Sequence, residues 1–267
     1  IPLDDQTVMS LFMNTSALGV EPEDINGIPL GCLGIPEFGT DFAMQMVIDA
    51  KPTEFSDLIR ISGLSHGTDV WLGNAQTLIE QGIATISTAI CTRDDIMTYL
   101  IRMGVENERS FKIMESVRKG KGLDDSMIAD MKACDVPDWY IESCQRIKYM
   151  FPKAHAAAYI MMAMRVAWFK VHRPLAYYAA YFSIRATAFN YELMCLGKER
   201  LEYYMADYNK RSDSLTDKEK STLEDMKIVQ EMYARGFEFV KIDLYKSNAT
   251  RFQIVDGKLM PALNTIE

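Results

Sequence analysis

Residues 154–171 read AHAAAYIMMAMRVAWFKV, the longest uninterrupted helical pattern in the chain. Phe151-Pro152 precedes this stretch and His172-Arg173-Pro174 follows it, so a proline marks each boundary. The stretch has nearly the length of a membrane span, but it contains His155 and Arg165. We therefore predict one long helix from Ala154 to Val171 and no membrane span.

Helical periodicity extends over residues 41–235 and is divided by capping residues and helix breakers. The capping box at Thr216 to Glu219 predicts a helix that reaches Arg235, with Gly236 at its end. Further helices are predicted from Ile96 after Asp94-Asp95 to Gly104, from Phe111 after Ser110 to Val117, from Pro137 through Ile147, and from Leu175 to Ile184.

The two ends of the chain have a different character. Residues 1–40 are rich in glycine and proline, which favours turns and short elements. After Gly236, residues 237–244 and 252–260 are of β type, and Asp256-Gly257 is typical of a hairpin turn. We predict a mainly α fold, with an irregular connection (1–40), a multi-helix domain (41–236) and a small β element (237–267).

The average charge argues against a nucleic-acid-binding protein, because 267 residues carry a net charge of -8 and the pI is about 5.1. The charge is not uniform, however. Residues 143–190 contain seven of the 29 Lys and Arg residues, interleaved with aromatics, and none of the 37 Asp and Glu residues. This window is either a surface for phosphates and bases or an amphipathic helix pair with core aromatics and solvated cations.

The helix start at Lys153 is the most informative segment. A helix N-terminus carries partial positive charge, yet the first turn holds Lys153 and His155 and no acid. An anion such as a polyphosphate would balance these charges. His155 and Tyr159 are four residues apart, so they share a helix face. The alternative is a buried His–Tyr pair beneath an alanine-rich packing face.

Two more segments are candidate binding elements. The basic loop RKGKG (118–122) follows a helix end; it is either a phosphate-contacting loop or ordinary basic C-capping. Residues 61–74, ISGLSHGTDVWLGN, are either a binding turn with exposed backbone N–H groups or a glycine-rich helix–helix corner. Adjacent Ser65 and His66 lack a nucleophile elbow, which excludes a hydrolase triad.

Five scattered cysteines with no histidine at ligand spacing predict buried thiols in a reducing cytoplasm and no metal site in this chain. No N-terminal segment has the pattern of a secretory signal. Because the chain opens on Ile1 without a methionine and ends in a loop-like phrase, we expect a segment of a longer protein.

Three segments, in this order, resemble the alpha subunit of bacterial DNA polymerase III in its PolC form from low-GC Gram-positive bacteria. They are SGLSHGTDVW (62–71), MESVRKGKG (114–122) and YMFPKAHAAAY (149–159). The third is similar to all bacterial replicative alpha subunits, whereas the first is specific to the PolC form. The resemblance runs from Ile1 to Glu267.

The resemblance implies the fingers region of a replicative DNA polymerase, which holds the incoming deoxynucleoside triphosphate and the template–primer DNA. The catalytic carboxylates and the Mg²⁺ of two-metal nucleotidyl transfer would belong to a palm upstream of Ile1, so no catalytic or metal-binding residue is expected here. A helix-hairpin-helix DNA-binding region would follow. A sliding clamp and other replisome subunits would bind other regions of a cytoplasmic enzyme.

By the same resemblance, with roles within each motif inferred from charge and spacing, ten residues are expected to bind the nucleotide: Ser65, His66, Gly67, Thr68, Arg118, Lys119, Lys121, Lys153, His155 and Tyr159. Four are expected to contact DNA phosphates: Arg146, Lys148, Arg165 and Lys170. The alternatives are a non-catalytic helical nucleic-acid-binding module and a helical scaffold without a nucleic-acid role.

Overall fold

The protein is described here by a computed structural model that covers residues 1–266 and is mainly helical. Glu267, the last residue of the predicted segment 237–267, lies outside the described residues. The predicted mainly α fold class with a small β element near the C-terminus is confirmed. In chain order, the α-helices within residues 1–266 are α1 (Gln6–Met9), α2 (Asp41–Ala50), α3 (Phe55–His66), α4 (Gln76–Glu80), α5 (Arg93–Met103), α6 (Asn107–Arg118), α7 (Asp125–Ala133), α8 (Asp138–Arg146), α9 (Lys153–His172), α10 (Pro174–Ala180), α11 (Tyr191–Met194), α12 (Lys198–Lys210) and α13 (Asp217–Ala234).

Contacts between residues divide the chain into two compact units. The central unit is Thr40–Ala163, and the terminal unit joins Ile1–Gly39 to the residues from Met164 onward. The division falls inside α9, which therefore contributes its first half to the central unit and its second half to the terminal unit. The predicted division into residues 1–40, 41–236 and 237–267 stays a prediction.

The central unit consists of capped helices around an aliphatic core that includes Leu58, Ile61 and Leu64 of α3. Helix α5 begins one turn earlier than predicted, because Thr92 rather than Asp94 is its N-cap. Helix α6 also begins earlier, since the side chain of Glu106 accepts the N–H groups of Glu108 and Arg109 at 3.0 and 2.8 Å. The predicted helices there are confirmed, and only their starts differ.

The terminal unit has its own core, in which Phe12 and Phe38 pack edge to face with ring centroids 4.9 Å apart. Residues 1–40 form one short α-helix and three 3₁₀ turns, as their glycine and proline content predicts. The capping box of α13 is confirmed: Glu219 accepts the Thr216 N–H at 2.8 Å and donates its own N–H back at 3.2 Å.

The predicted β element forms a hairpin of β1 (Gln253–Val255) and β2 (Lys258–Met260), antiparallel, with Ile254 opposite Leu259. Asp256 and Gly257 adopt φ values of 50° and 74°, the left-handed conformation that the turn requires. Residues 237–244 join this element through a bridge between Phe239 and Leu259. The Val240 N–H donates to the Leu259 carbonyl at 2.8 Å, and the Leu259 N–H donates to the Glu238 carbonyl at 3.0 Å.

Candidate nucleotide site

The start of α9 lies at the predicted position, directly after Pro152, and its first turn contains no acidic residue. A carboxylate from another helix compensates: Asp94 Oδ2 on α5 accepts the backbone N–H of Lys153 at 2.9 Å. The expected anion at this N-terminus is therefore present in part as a side chain of the central unit. The Lys153 side chain itself is exposed and makes no ion pair within residues 1–266.

His155 and Tyr159 share one face of α9, as predicted, with ring centroids 4.8 Å apart. Both side chains are exposed, and 41% of the Tyr159 surface is accessible. The alternative of a buried His–Tyr pair is therefore wrong. Ala156, between them in sequence, is fully buried and fixes the helix against the unit, so the two rings point outward.

Phe151 connects two of the predicted motifs. The ring of His66, at the end of α3, stacks on Phe151 with centroids 4.8 Å apart and planes 24° apart. On another side, His155 approaches Phe151 edge to face at 5.1 Å. His66, Phe151, His155 and Tyr159 thus form a continuous row of rings, which we call the aromatic row.

Backbone pairing holds the same two segments together. The Thr68 N–H donates to the Tyr149 carbonyl at 2.9 Å, and the Lys148 N–H donates to the Thr68 carbonyl at 3.0 Å. Gly67 permits this approach, since a Cβ there would lie 3.0 Å from the Tyr149 carbonyl oxygen. The expected binding turn begins only at Gly67, because Ser65 and His66 belong to the last turn of α3.

The His66 ring is oriented by its own helix. Its Nδ1 lies 2.8 Å from the Ser62 carbonyl oxygen and 2.9 Å from the Ser65 hydroxyl. Because a carbonyl can only accept a hydrogen bond, this geometry places a proton on Nδ1. Ser65 also donates to the Ser62 carbonyl at 3.0 Å, so it positions the ring and is itself half-buried.

The basic loop lies against the same backbone segment. A Cβ on Gly120 would approach the Lys148 carbonyl oxygen to 2.5 Å, and Gly120 has a φ of +72°. Arg118 forms a bidentate pair with Glu115, and Lys119 lies 2.9 Å from the same carboxylate. The hydrogen bonds from these two cations lower the pKa of Glu115 to about 2.

The three predicted motifs therefore converge within the central unit, but their cations differ in availability. Arg118 and Lys119 share the carboxylate of Glu115, whereas Lys121 is exposed and has no ion-pair partner in the described part of the chain. Lys121 and Lys153 are therefore cations of these motifs whose side chains make no ion pair within residues 1–266.

The residues predicted to contact DNA are placed differently from one another. Lys148 is exposed, and Arg146 is exposed while donating from Nη1 to the Gly73 carbonyl at 2.7 Å. Arg165, in the terminal unit, is exposed on α9. These three positions are compatible with a phosphate-contacting role and stay predictions.

The prediction for Lys170 is wrong. Its side chain is fully buried, and Nζ donates to the carbonyls of Gly31 and Leu33 at 2.8 and 2.6 Å and to the Glu231 carboxylate. Three acceptors satisfy all three ammonium protons, so no donor remains for DNA. Lys170 is a structural residue of the terminal unit.

The aromatic residues of the window 143–190 also divide into two groups. Tyr177, Tyr178 and Phe182 are buried in the core of the terminal unit, as the amphipathic alternative expects. Tyr149 and Tyr159 are exposed in the central unit. The acid-free window is consequently not one surface.

Two contributors were not among the predicted site residues. Phe151 lies in the motif YMFPKAHAAAY and in the aromatic-rich window, but no role in binding is predicted for it; its ring contacts with His66 and His155 show the connection. Asp94 lies 59 residues before Lys153, and no spacing in the sequence connects them. Within residues 1–266, no group of three or more His, Cys, Asp or Glu side chains could hold a metal ion.

Comparisons with known proteins relate the chain to bacterial DNA polymerase III. The model of a family described as "Bacterial DNA polymerase III alpha subunit finger domain" matches residues 1–133. The matched stretch is 133 of the 267 residues. The match covers α3 and the basic loop, and it ends before the start of α9.

The whole chain is similar to proteins named DNA polymerase III PolC-type. The chain is 53% identical over 267 residues to the one from Caldanaerobacter subterraneus subsp. tengcongensis and 54% identical over 266 residues to the one from Bacillus subtilis. Each comparison covers 100% of this chain but only 19% or 18% of the relative. The one from Streptococcus suis is 56% identical over 98% of the chain. No helix in the described residues is both long and apolar enough to cross a membrane.

Proposed function

We propose that this chain forms the fingers of a replicative DNA-directed DNA polymerase and binds the incoming deoxynucleoside triphosphate. The observation that supports the proposal is the convergence of three separate motifs on one backbone segment, residues 148–151. Exposed ammonium groups and a row of rings meet there. These are the chemical features that a triphosphate joined to a base requires.

In this proposal, Lys153 and Lys121 contact the phosphates and His155 adds a third donor. The loop residues Arg118 and Lys119 contact a phosphate while they remain paired with the Glu115 carboxylate. The aromatic row offers ring faces for the sugar or base, with Tyr159 at one end and His66 at the other. Gly67 and Thr68 bring this end close to the phosphates.

The catalytic carboxylates and Mg²⁺ are proposed to belong to a palm outside this chain, because the described residues offer no suitable donor cluster. When bound, the metal ions supply activation of the primer hydroxyl and charge stabilisation. The contribution of this chain is to bind and orient the triphosphate. Pre-positioned cations stabilise the charge that develops during phosphoryl transfer.

The remaining parts of the proposal concern the longer protein. Primer–template DNA contacts Arg146, Lys148 and Arg165, while a sliding clamp and other replisome subunits bind elsewhere in a cytoplasmic enzyme acting at the nucleoid. Residues 1–40 connect palm and fingers, residues 41–236 are the fingers, and residues 237–267 lead to a helix-hairpin-helix region.

The test measures primer extension by the complete polymerase as a function of nucleotide concentration. Loss of a charged contact is expected to lower kcat/KM for Lys153→Ala and for His155→Ala by about tenfold or more. Lys132→Ala is the matched control, because Lys132 is exposed on α7 and away from the three motifs. Wild-type kcat and KM in both variants would show that the site is misplaced.

A second measurement separates this proposal from a complete catalytic unit. The 267-residue chain alone is expected to give no primer extension, because the palm carboxylates are assigned to another part of the polymerase. Appreciable metal-dependent extension by the isolated chain would contradict that assignment.

A further inference from the structure

A cleft in the central unit is lined in part by Lys153 at the start of α9 and by none of the rings of the aromatic row. It has a volume of about 420 Å³, which is within the range of small-ligand sites. The residues that line it come from α3, α5, α8, the start of α9 and the segment before α5, and they include Tyr99, Arg102, Trp139, Tyr140 and Lys153.

Two of the cations that line the cleft are exposed and make no ion pair within residues 1–266. Arg102 is exposed and has no ion-pair partner within residues 1–266; its guanidinium lies 5.8 Å from the centre of the Tyr99 ring. Lys153 adds a second exposed cation. Arg60 is neutralised by Asp57 at 2.8 Å, and Asp95 is occupied in capping α5. An anion entering the cleft would therefore meet two cations without displacing an existing partner.

The floor of the cleft is aromatic. Tyr99 and Tyr140 stack with ring centroids 4.0 Å apart and planes 17° apart, and Trp139 meets Tyr140 edge to face at 5.5 Å. Trp139 is only partly buried, so part of its ring remains accessible. Such a surface suits the flat face of a base, in contrast to a site for inorganic anions alone.

An unsatisfied hydroxyl gives an independent indication of a ligand. Tyr140 is 1% exposed, and its hydroxyl has no hydrogen-bond partner among the described residues. A buried polar atom without a partner is costly unless something outside the chain satisfies it. Burial raises the pKa of Tyr140 well above its ordinary value of 10.0, so the hydroxyl keeps its proton and can donate.

We propose that this cleft binds a nucleoside phosphate, with the phosphate on Arg102 and Lys153, the base against the aromatic floor and the Tyr140 hydroxyl as a specific donor. The ligand is distinct from the triphosphate assigned to the aromatic row, although Lys153 borders both sites. Its source is either a free nucleotide or an unpaired nucleotide of a DNA strand. The proposal rests on the proposed function only in assuming that the protein handles nucleotides.

The experiment measures binding to the complete polymerase at low salt by fluorescence anisotropy. Two labelled probes are titrated separately, a single-stranded (dT)₁₂ and dATP. Unlabelled pyrophosphate serves as a competitor. Arg102→Gln removes a cation at an exposed position, so the fold is preserved. It is expected to raise the Kd of the probe that occupies the cleft by about fivefold or more. Lys112→Gln, an exposed change on α6 outside the cleft, is the matched control and is expected to change Kd by less than about twofold.

Tyr140→Phe tests the hydroxyl separately. It keeps the ring stacked on Tyr99 and removes only the atom without a partner, so thermal stability is expected to be equal or higher, whereas Kd rises by about threefold. A purely structural hydroxyl would leave Kd unchanged. A response of the oligonucleotide identifies a DNA strand as the source, and a response of dATP identifies a free nucleotide.

Two results would overturn the proposal. One is an unchanged Kd for both probes in Arg102→Gln and Tyr140→Phe. The other is a change in pyrophosphate competition alone, which would exclude the nucleoside part of the ligand. Either result can occur together with an increased nucleotide KM in Lys153→Ala. A wrong assignment of this cleft is therefore distinguishable from a wrong proposed function.

Discussion

Replacing Lys170 by methionine is expected to destabilise the terminal unit severely. Lys170 and Glu231 form an ion pair in which both side chains are fully buried and the shortest N–O distance is 2.9 Å. Methionine keeps the length and apolar stem of lysine but removes the ammonium group. The Gly31 and Leu33 carbonyls then lose a donor, and the Glu231 carboxylate remains buried without its cation.

The magnitude follows from what remains behind. Breaking a buried pair by removing one partner costs about 3–5 kcal/mol, because the other charge stays in a low-dielectric environment. Tyr178 still donates to Glu231 at 2.7 Å, which keeps the loss near the lower end of that range. At about 2–4 °C per kcal/mol for a domain of this size, Tm falls by roughly 6–12 °C for a loss of about 3 kcal/mol.

The assay is urea unfolding of the 267-residue chain, followed by circular dichroism and by tryptophan fluorescence. Lys198→Met is the matched control, because Lys198 pairs with Glu202 at 3.6 Å on an exposed helix surface; its effect is expected to stay within about 0.5 kcal/mol. A double variant, Lys170→Met with Glu231→Leu, should be less destabilised than the sum of the single variants. A loss below about 1 kcal/mol for Lys170→Met would refute the reasoning.

Two further predictions concern the basic loop and a buried carboxylate. Gly120→Ala is expected to lower Tm more than Gly122→Ala. Both glycines have left-handed φ values, +72° and +71°, but only at Gly120 would the added Cβ meet a carbonyl oxygen, that of Lys148 at 2.5 Å. Equal decreases of Tm in thermal unfolding would contradict this prediction. Burial raises the pKa of Asp225 from its ordinary 3.8 to about 6, so its favourable contribution is fully present below pH 3.8 and is lost as pH rises through about 6. At about 1.4 kcal/mol per pH unit, the wild type should lose roughly 3 kcal/mol over this interval relative to Asp225→Asn, and parallel curves of unfolding free energy against pH would exclude the effect.

Much of the fold is predictable because its signals are local. Proline, capping boxes and the Asp-Gly turn act over four residues or fewer, so α9, α13 and the hairpin are found at the predicted places. Helix α3 is less visible, since its glycine and serine residues indicate a turn. Gly63 lies inside α3, and a side chain is excluded there because a Cβ would lie 2.6 Å from the Cys91 carbonyl oxygen, a packing constraint that the sequence does not display.

The candidate site is predictable only as a set of motifs. Charge and spacing identify Lys153, His155 and Tyr159, but they do not show that Phe151 connects them to His66. Composition also cannot separate exposed from buried cations. Lys170 belongs to the same acid-free window as Lys153, and its partner Glu231 lies 61 residues further along the chain.

The carboxylate of Asp94 at the start of α9 has a consequence for turnover. It already holds the Lys153 N–H, so an arriving phosphate must share that donor or displace an internal competitor. Such a competitor weakens the bound state of every phosphate ligand, substrate and pyrophosphate product alike, and thereby hastens dissociation. Under the proposed function, the Asp94 carboxylate would favour quick emptying of this position between successive nucleotide additions.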